Sequence, residues 1–286
     1  MDKTTIGDRM KNNYENITRY YLTRRMPVII RVDGRSFHTF TKGFKKPFDD
    51  ILVKTMQYTM KYLCENIQGC VLGYTQSDEI SLVLTDYAEI TTDAWFGNNL
   101  QKMCSVSASM ATMAFNKYFA QEVDRWGAET FGYEWYEGGT NDPEVINTPE
   151  WKLAGTYSKV IDNGAMFDAR AFNIPKEEVC NYFIWRQQDS ARNSIQSVGQ
   201  ANFSDKELHK KSTKDIQDML ITQKDINWNN YATTLKRGSC CIKTDDSLTE
   251  YDEVGNICGY IQRSKWVIDN EIPIFTQDRN YVEKLI

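Results

Sequence analysis

The sequence predicts an α+β fold, a ferredoxin-like arrangement of the polymerase-palm kind, extended by a helical and β-rich C-terminal region. Three observations point there. A short apolar segment, PVIIRVDG, opens at Pro27 and closes at Gly34. Two further segments, CVLGYTQ and EISLVLT, are separated only by Ser77-Asp78, the spacing of a tight hairpin. Helical periodicity fills the intervals around them, so the elements run β-α-β-β-α-β.

Taken in order, residues 1–26 are polar with scattered aromatics and predict a helical arm. In the first strand Val28, Ile30 and Val32 alternate with Ile29, Arg31 and Asp33. Asp49 or Asp50 can cap a helix that carries Leu52, Met56, Met60, Leu63 and Ile67 on one stripe, ended by Gly69. The hairpin strands follow. Residues 97–120, with Leu100, Met103, Val106, Met110, Met113 and Phe115, predict a long helix. The acidic segment 122–150, rich in Gly, Trp and Tyr, reads as a surface insertion. AMFDARAF supplies a further strand. From about Glu177 the chain is helical and polar, and from KRGSCCIKT onward it reads as a β-rich tail with hairpins. The expected divisions are therefore an arm over 1–26, a palm-like domain over 27–176 with its insertion, and a helical and β-rich C-terminal region over 177–286.

Composition narrows the class. At 41% apolar and 26% charged residues the chain is ordinary for a soluble globular protein. No apolar run approaches the roughly 20 residues of a membrane span. The N-terminus MDKTTIGDRMKNNYENITRYY lacks the apolar stretch of a secretory signal, so a cytoplasmic protein with no membrane partner is expected. Seven cysteines, with no C-x-x-C pair, point to reduced thiols rather than a disulfide framework or zinc knuckle. Two histidines leave no room for a His-rich metal site. The net charge of −5 is unevenly spread: residues 1–50 hold eleven Lys or Arg against six acids, whereas Glu122–Glu150 holds eight acids against one base. A polyanion would meet the N-terminal third.

Asp33 ends the first strand and Asp78 sits in the hairpin turn. In a β-α-β-β topology the first and third strands lie side by side, so the two carboxylates can meet at one sheet edge. Two carboxylates and a backbone carbonyl are the hard oxygen donors Mg²⁺ prefers, with phosphates completing its shell. Each motif by itself also reads as a simple turn. Around them Gly34 lets backbone amides approach an anion, while Arg35, His38, Lys45 and Lys46 add positive charge. His38 reads equally well as a packing residue beside Phe37 and Phe40. Further on, Arg186, Asp189 and Asn193 share one helix face near Trp185, Gln187 and Arg192, a face that can bind phosphates and bases or be simply solvated. Lys210, Lys211 and Lys214 suit an RNA backbone. Neither G-x-x-x-x-G-K-[ST] nor G-x-G-x-x-G occurs, which removes the main support for phosphate-loop and Rossmann readings.

The strings RVDGRSFHTF, FKKPFDD and YTQSDEISLV together resemble the signature of the tRNA-histidine guanylyltransferase superfamily. WRQQD and KDINWNNYATTLKRGS resemble its later motifs, so the likeness extends from about Pro27 to Ser239 and leaves out 122–150 and the tail after Cys240. The resemblance implies two Mg²⁺ ions held by Asp33, the Gly34 carbonyl and Asp78. It implies nucleotide contacts from Asp33, Gly34, Arg35, Ser36, Phe37 and His38, with Ser77 and Asp78. Lys46 and Asp49 match a K-P-N-D element in which Phe48 replaces the asparagine. Lys102 is similar to a lysine on the long helix, and RNA contacts fall to Lys102, Arg186, Arg192, Asn193, Lys210 and Lys211.

Members dedicated to tRNA-histidine carry a histidine just after W-R-Q-x-D, where this chain has Ala191. That departure resembles the guanylyltransferase-like branch, templated 3′-to-5′ polymerases that repair tRNAs truncated at the 5′ end. The implied partners are such tRNAs, GTP, ATP and other nucleoside triphosphates, and the implied assembly is a homotetramer. A dedicated tRNA-histidine enzyme, a nucleotide cyclase and a non-catalytic RNA-binding module on the same fold stand as alternatives.

Overall fold

The computed structural model describes residues 5–132, 135, 142–251 and 257–286. Six strands, β1 (Val28–Gly34), β2 (Cys70–Gln76), β3 (Glu79–Leu84), β4 (Phe167–Asn173), β5 (Ser239–Tyr251) and β6 (Ile257–Asp269), form one sheet among the described residues. Their order is β4-β1-β3-β2-β5-β6, with each neighbouring pair antiparallel. The helices are α1 (Ile6–Met10), α2 (Phe37–Phe40), α3 (Asp50–Asn66), α4 (Leu100–Phe131), α5 (Pro143–Ile146) and α6 (Pro149–Asn163), then α7 (Lys176–Asn202), α8 (Asp205–Leu208), α9 (Thr213–Lys224), α10 (Thr233–Arg237) and α11 (Asn280–Glu283).

Both faces of the sheet are covered. Val28, Ile30 and Val32 of β1, with Ile80, Leu82 and Leu84 of β3, pack against Met56, Met60 and Leu63 of α3 and Phe115 and Phe119 of α4. On the opposite face Ile29, Leu72, Tyr74 and Val83 meet Val179, Cys180 and Phe183 of α7 and the C-terminal Ile272, Phe275 and Val282. This two-sided burial explains why Ile29 is apolar at a position where a one-sided strand would be polar. The residues that follow it on that second face, Arg31 and Asp33, are polar because the face opens into a charged site.

Several expectations about elements need correction. The arm is helical only from α1 through a π-helical stretch at Lys11–Glu15; beyond it, Leu22 N–H donates to the Asn98 carbonyl and ties the chain to the start of α4. Residues 1–4 of the expected arm lie outside the described residues. The acidic segment does not interrupt α4, which continues through Phe131. Phe119, Val123 and Gly127 keep a four-residue spacing on the buried side, and Asp124, Arg125 and Glu129 face water, while the buried Glu122 is paired with Arg125 at 2.9 Å. A charge excess is compatible with a helix when the charges fall on its outer face. Gly127 is needed there because a Cβ would sit 2.3 Å from the Trp135 indole. Residues 133, 134 and 136–141 of the expected insertion lie outside the described residues, as do 252–256 of the tail.

The tail forms the expected hairpin, β5 with β6. It also extends the main sheet, since β5 pairs with β2 at Gly73–Thr75. The sheet thus crosses the division expected at residue 176. Among the described residues no helix is long and apolar enough to cross a membrane. Cys64, Cys70, Cys180, Cys240 and Cys241 are buried free thiols, and Cys104 is a half-buried one.

Candidate active site

Strand pairing builds the site. β1 lies between β3 and β4, so Asp33 stands opposite Glu79 on one side and Asp168 on the other. Beyond Asp33, the Gly34 N–H donates to the Asp78 carbonyl at 3.0 Å and draws the hairpin turn against the end of β1. Ser77 makes that turn at a positive φ of 51°, and its hydroxyl donates to the Asp78 carboxylate at 3.0 Å. Burial pushes the Asp78 carboxyl above its ordinary value and the nearby Asp33 charge adds to this, while the Ser77 hydroxyl works against both. Gly34 has no room for a side chain: a Cβ would fall 2.3 Å from the Phe37 ring.

Behind the two aspartates is a buried ionic network. Arg31 Nη2 reaches Asp33 Oδ2 at 2.9 Å and Arg31 Nε lies 3.6 Å from Glu79 Oε2. Arg186 of α7 donates to the same Glu79 oxygen at 2.7 Å and approaches Asp189 at 3.4 Å. Its guanidinium Cζ lies 3.7 Å from the Trp185 ring centroid. Burial pushes the Glu79 carboxyl up, and the Arg186 and Arg31 charges pull it back. Tyr182, whose hydroxyl meets Ser81 Oγ at 2.7 Å, is pushed up to about 12 by burial.

In front of the aspartates is a cleft of about 440 Å³. One wall is the segment from Phe37 to Val53, with His38, Lys42, Lys45 and Lys46 turned to solvent. The hairpin tip, Gln76 to Asp78, closes one end, and α7 and α10 form the far wall. The first wall is held by Asp49, which caps α3 through the Leu52 amide and also accepts from the Lys45 amide at 3.1 Å and the Tyr157 hydroxyl at 2.6 Å. The amides of Ser36, Phe37 and His38 donate to no backbone carbonyl among the described residues.

The structure gathers many of the expected residues and relocates others. His38, Lys46, Ser77, Asp78 and Asn193 line the cleft, and Asp33, Gly34, Arg35 and Ser36 adjoin it at the end of β1. Asp49 also lines it, but its carboxylate is engaged in tethering the loop. The Phe37 ring is core, packed on Phe40, Phe115 and Phe167, so only its backbone can face a ligand. Arg186 is not on an open face; at 5% exposure it is committed to Glu79. Arg192 is exposed and paired with Asp189.

Lys102 lies away from the cleft. Thr112 and Asn116 of α4 are the residues that reach Phe167 and Ala165, beside Gly34, and Lys102 is about four helical turns before Asn116, stacked over Phe96. Lys210 and Lys211 are exposed beyond α8 and outside the cleft.

Sequence reasoning missed Glu79 and, Asn193 apart, a stripe of small polar groups on α7. Ser190, Asn193, Ser194, Ser197 and Gln200 all face the cleft. Their three- and four-residue spacing was visible in DSARNSIQSVGQ and marks one helix face.

Among the described residues no three His, Cys, Asp or Glu side chains converge as a metal cage. Two adjacent carboxylates, one of them desolvated, instead suit a cation that completes its shell with ligand oxygens and water.

A family model described as tRNAHis guanylyltransferase matches residues 7–175. A bacterial tRNA(His) guanylyltransferase-like protein solved in complex with ATP is 43% identical; the match covers 99% of both chains with a TM-score of 0.73. The corresponding complex with GTP gives 42% identity, the same coverage and a TM-score of 0.71. The tRNA(His) guanylyltransferase of Debaryomyces hansenii is 25% identical over 240 residues, 79% of this chain and 77% of that one. The likeness therefore reaches well beyond Pro27–Ser239, taking in the 122–150 segment and the tail.

Proposed function

The chain belongs to the tRNAHis guanylyltransferase family of nucleotidyltransferases, and on that premise we propose that it adds nucleotides to tRNA 5′ ends in the 3′-to-5′ direction, templated by the opposite strand. The observation that carries this reading is the meeting of Asp33 and Asp78 at one sheet end, fixed by the Gly34–Asp78 bond, at the mouth of a cleft bordered by lysines that make no ion pair among the described residues. We read the β1–β4 sheet with α3 and α4 as a polymerase palm and the parts after residue 176 as RNA- and subunit-contacting additions.

Asp33, Asp78 and the Gly34 carbonyl would hold Mg²⁺, two ions by analogy with the family. Bound there, Mg²⁺ supplies charge neutralisation at the reacting phosphate and a more acidic attacking hydroxyl. The chain's own groups do the rest by positioning. Lys46, Lys42 and His38 hold the triphosphate, with the Ser36–His38 amides pointed at its oxygens. Arg31 keeps one oxygen of Asp33 turned toward the sheet, leaving the other for the ion. Asn193 and Gln200 face the base. In the addition step the 3′-hydroxyl oxygen of the incoming nucleotide bonds to the activated 5′ phosphorus, pyrophosphate or the activating nucleoside monophosphate leaves, and the hydroxyl proton passes to solvent.

Ala191, at the position of the family's histidine, favours repair over tRNA-histidine selection, because neither it nor the neighbouring ion-paired Arg192 reads a base edge. The test compares kcat/KM for templated repair of a non-histidine tRNA lacking its first nucleotide with that for untemplated guanosine addition to full-length tRNA-histidine. Preference for the second substrate assigns the chain to the dedicated enzymes. A homotetramer is the expected assembly, and light scattering at a working concentration that returns a fully active monomer contradicts it.

A further inference from the structure

Two cations reach the Asp33 carboxylate among the described residues, and burial separates them. Arg31 Nη2 lies 2.9 Å from Asp33 Oδ2, and the same side chain is also committed to Glu79. Arg170 of β4 approaches that oxygen at 3.9 Å, yet it is 52% exposed. Register places it there: β4 is the edge strand beside β1, with Arg170 opposite Arg31 and Asp168 opposite Asp33. Neither Arg170 nor Asp168 lines the cleft, so this guanidinium meets Asp33 from the β4 edge and not from the lysine wall. We propose that Arg170 binds the 5′-terminal phosphate of the RNA and holds it beside the Asp33–Asp78 pair while the nucleoside triphosphate occupies the cleft. The proposal rests on the reading that the chain joins a nucleotide to an RNA 5′ end.

Three observations favour it. The proposed reaction brings two anions to one pair of carboxylates, and the cleft lysines account for the triphosphate alone. The second phosphate needs a cation that adjoins Asp33 without belonging to the cleft, and among the described residues Arg170 is the exposed cation that does so. Its present partner holds it weakly: Asp168 accepts from it at 3.0 Å, but at 61% exposure, and water screens such a pair. The arrangement is also unfavourable for the sheet. Arg31 opposite Arg170 and Asp33 opposite Asp168 set like charges directly across from one another, which destabilises strand pairing. The ion pairs along each strand, Arg31–Asp33 and Arg170–Asp168, only offset this. A position that costs the sheet stability, yet keeps a free-ended guanidinium beside Asp33, fits a ligand contact. The planar fork of that group matches two non-bridging oxygens of a phosphate.

The experiment uses the full chain, in Mg²⁺, and a tRNA transcript lacking its first nucleotide, prepared with either a 5′-monophosphate or a 5′-hydroxyl. Kd for the two RNAs is read by filter binding. The wild type should prefer the phosphorylated RNA by about tenfold, as one charge-assisted, two-pronged contact would give. Arg170→Ala should erase that preference and Arg170→Lys should keep part of it. Asp168→Ala should leave it in place, because the guanidinium remains. In Arg170→Ala the KM for the nucleoside triphosphate should be unchanged and the urea midpoint should not fall. A wild type that binds both RNAs equally overturns the proposal, as does an Arg170→Ala protein that retains the preference or shows its loss in the triphosphate KM as well. If Asp168→Ala loses the preference as fully as Arg170→Ala, the pair only braces β4 and the proposal falls. If the wild type shows the preference, Arg170→Ala lacks it, and neither protein extends a 5′ end, the proposed activity falls and the phosphate contact stands.

Discussion

The two sides of the Asp33–Asp78 pair handle charge in opposite ways. Toward the sheet, Arg31 and Arg186 are withdrawn from water and share Glu79 at 2.7–3.6 Å, with Asp33 and Asp189 as their further counter-charges. Toward the cleft, Lys42, Lys45 and Lys46 are exposed and, among the described residues, unpaired. A charge removed from water must be matched within the fold or it destabilises the chain by several kcal/mol, so the first set is bound to fixed positions. The exposed lysines keep their hydration and stay available to an anion. The lesson is that the same residue types serve geometry on one side and ligand binding on the other, and burial decides which.

That comparison breaks in measurable ways. Asp33→Ala and Asp78→Ala, at the boundary, should each lower kcat for 5′ activation and addition by about a thousandfold or more. Near-normal turnover in saturating Mg²⁺ would remove the pair from the chemistry. On the buried side, Arg186→Met leaves Glu79 partly uncompensated and should cost about 3–5 kcal/mol in urea unfolding. Adding Glu79→Leu should recover much of that loss, because the orphaned charge goes too; no recovery would mean that Arg186 acts through packing alone.

Smaller effects sharpen the contrast. Tyr157→Phe removes a bond to the buried Asp49 carboxylate and should cost about 1.5–3 kcal/mol of stability, with the KM for nucleotide rising as the wall of the cleft loosens. Lys46→Ala should raise the triphosphate KM by about tenfold, near 1.4 kcal/mol, and leave the unfolding midpoint where it was. If Lys46→Ala instead destabilises the fold, the lysine belongs with the buried set. Arg192→Ala should move stability by no more than about 0.5 kcal/mol, since an exposed pair gains little.

Much of the site was legible because it is local. Asp33-Gly34 and Ser77-Asp78 each close a strand whose period is plain, and the hairpin spacing brings the third strand beside the first. The helix cap was legible to within one residue, Asp49 or Asp50, for the same reason, and the structure gives it to Asp49. Glu79 escaped notice, although it adjoins Asp78, because its meaning depends on Arg186, 107 residues away. Arg186 was misplaced on an open face for the converse reason: helical spacing says which residues share a face, not what that face touches. The acidic run at 122–150 misled because charge reports solvent exposure, and an exposed stretch can be helix as easily as loop.

The sequence by itself determined the order of the elements, the two aspartates at strand ends and the family to which the motifs point, since each rests on spacing within a few residues. Only the tertiary structure decided which charges are buried, that Phe37 packs inward while His38 faces the cleft, that Lys102 sits at the far end of α4, and that β5 joins the sheet through β2. These are facts about what lies across a gap in space. Desolvation and close packing act on whatever neighbours the completed fold supplies, and those neighbours come from parts of the chain that no local pattern connects.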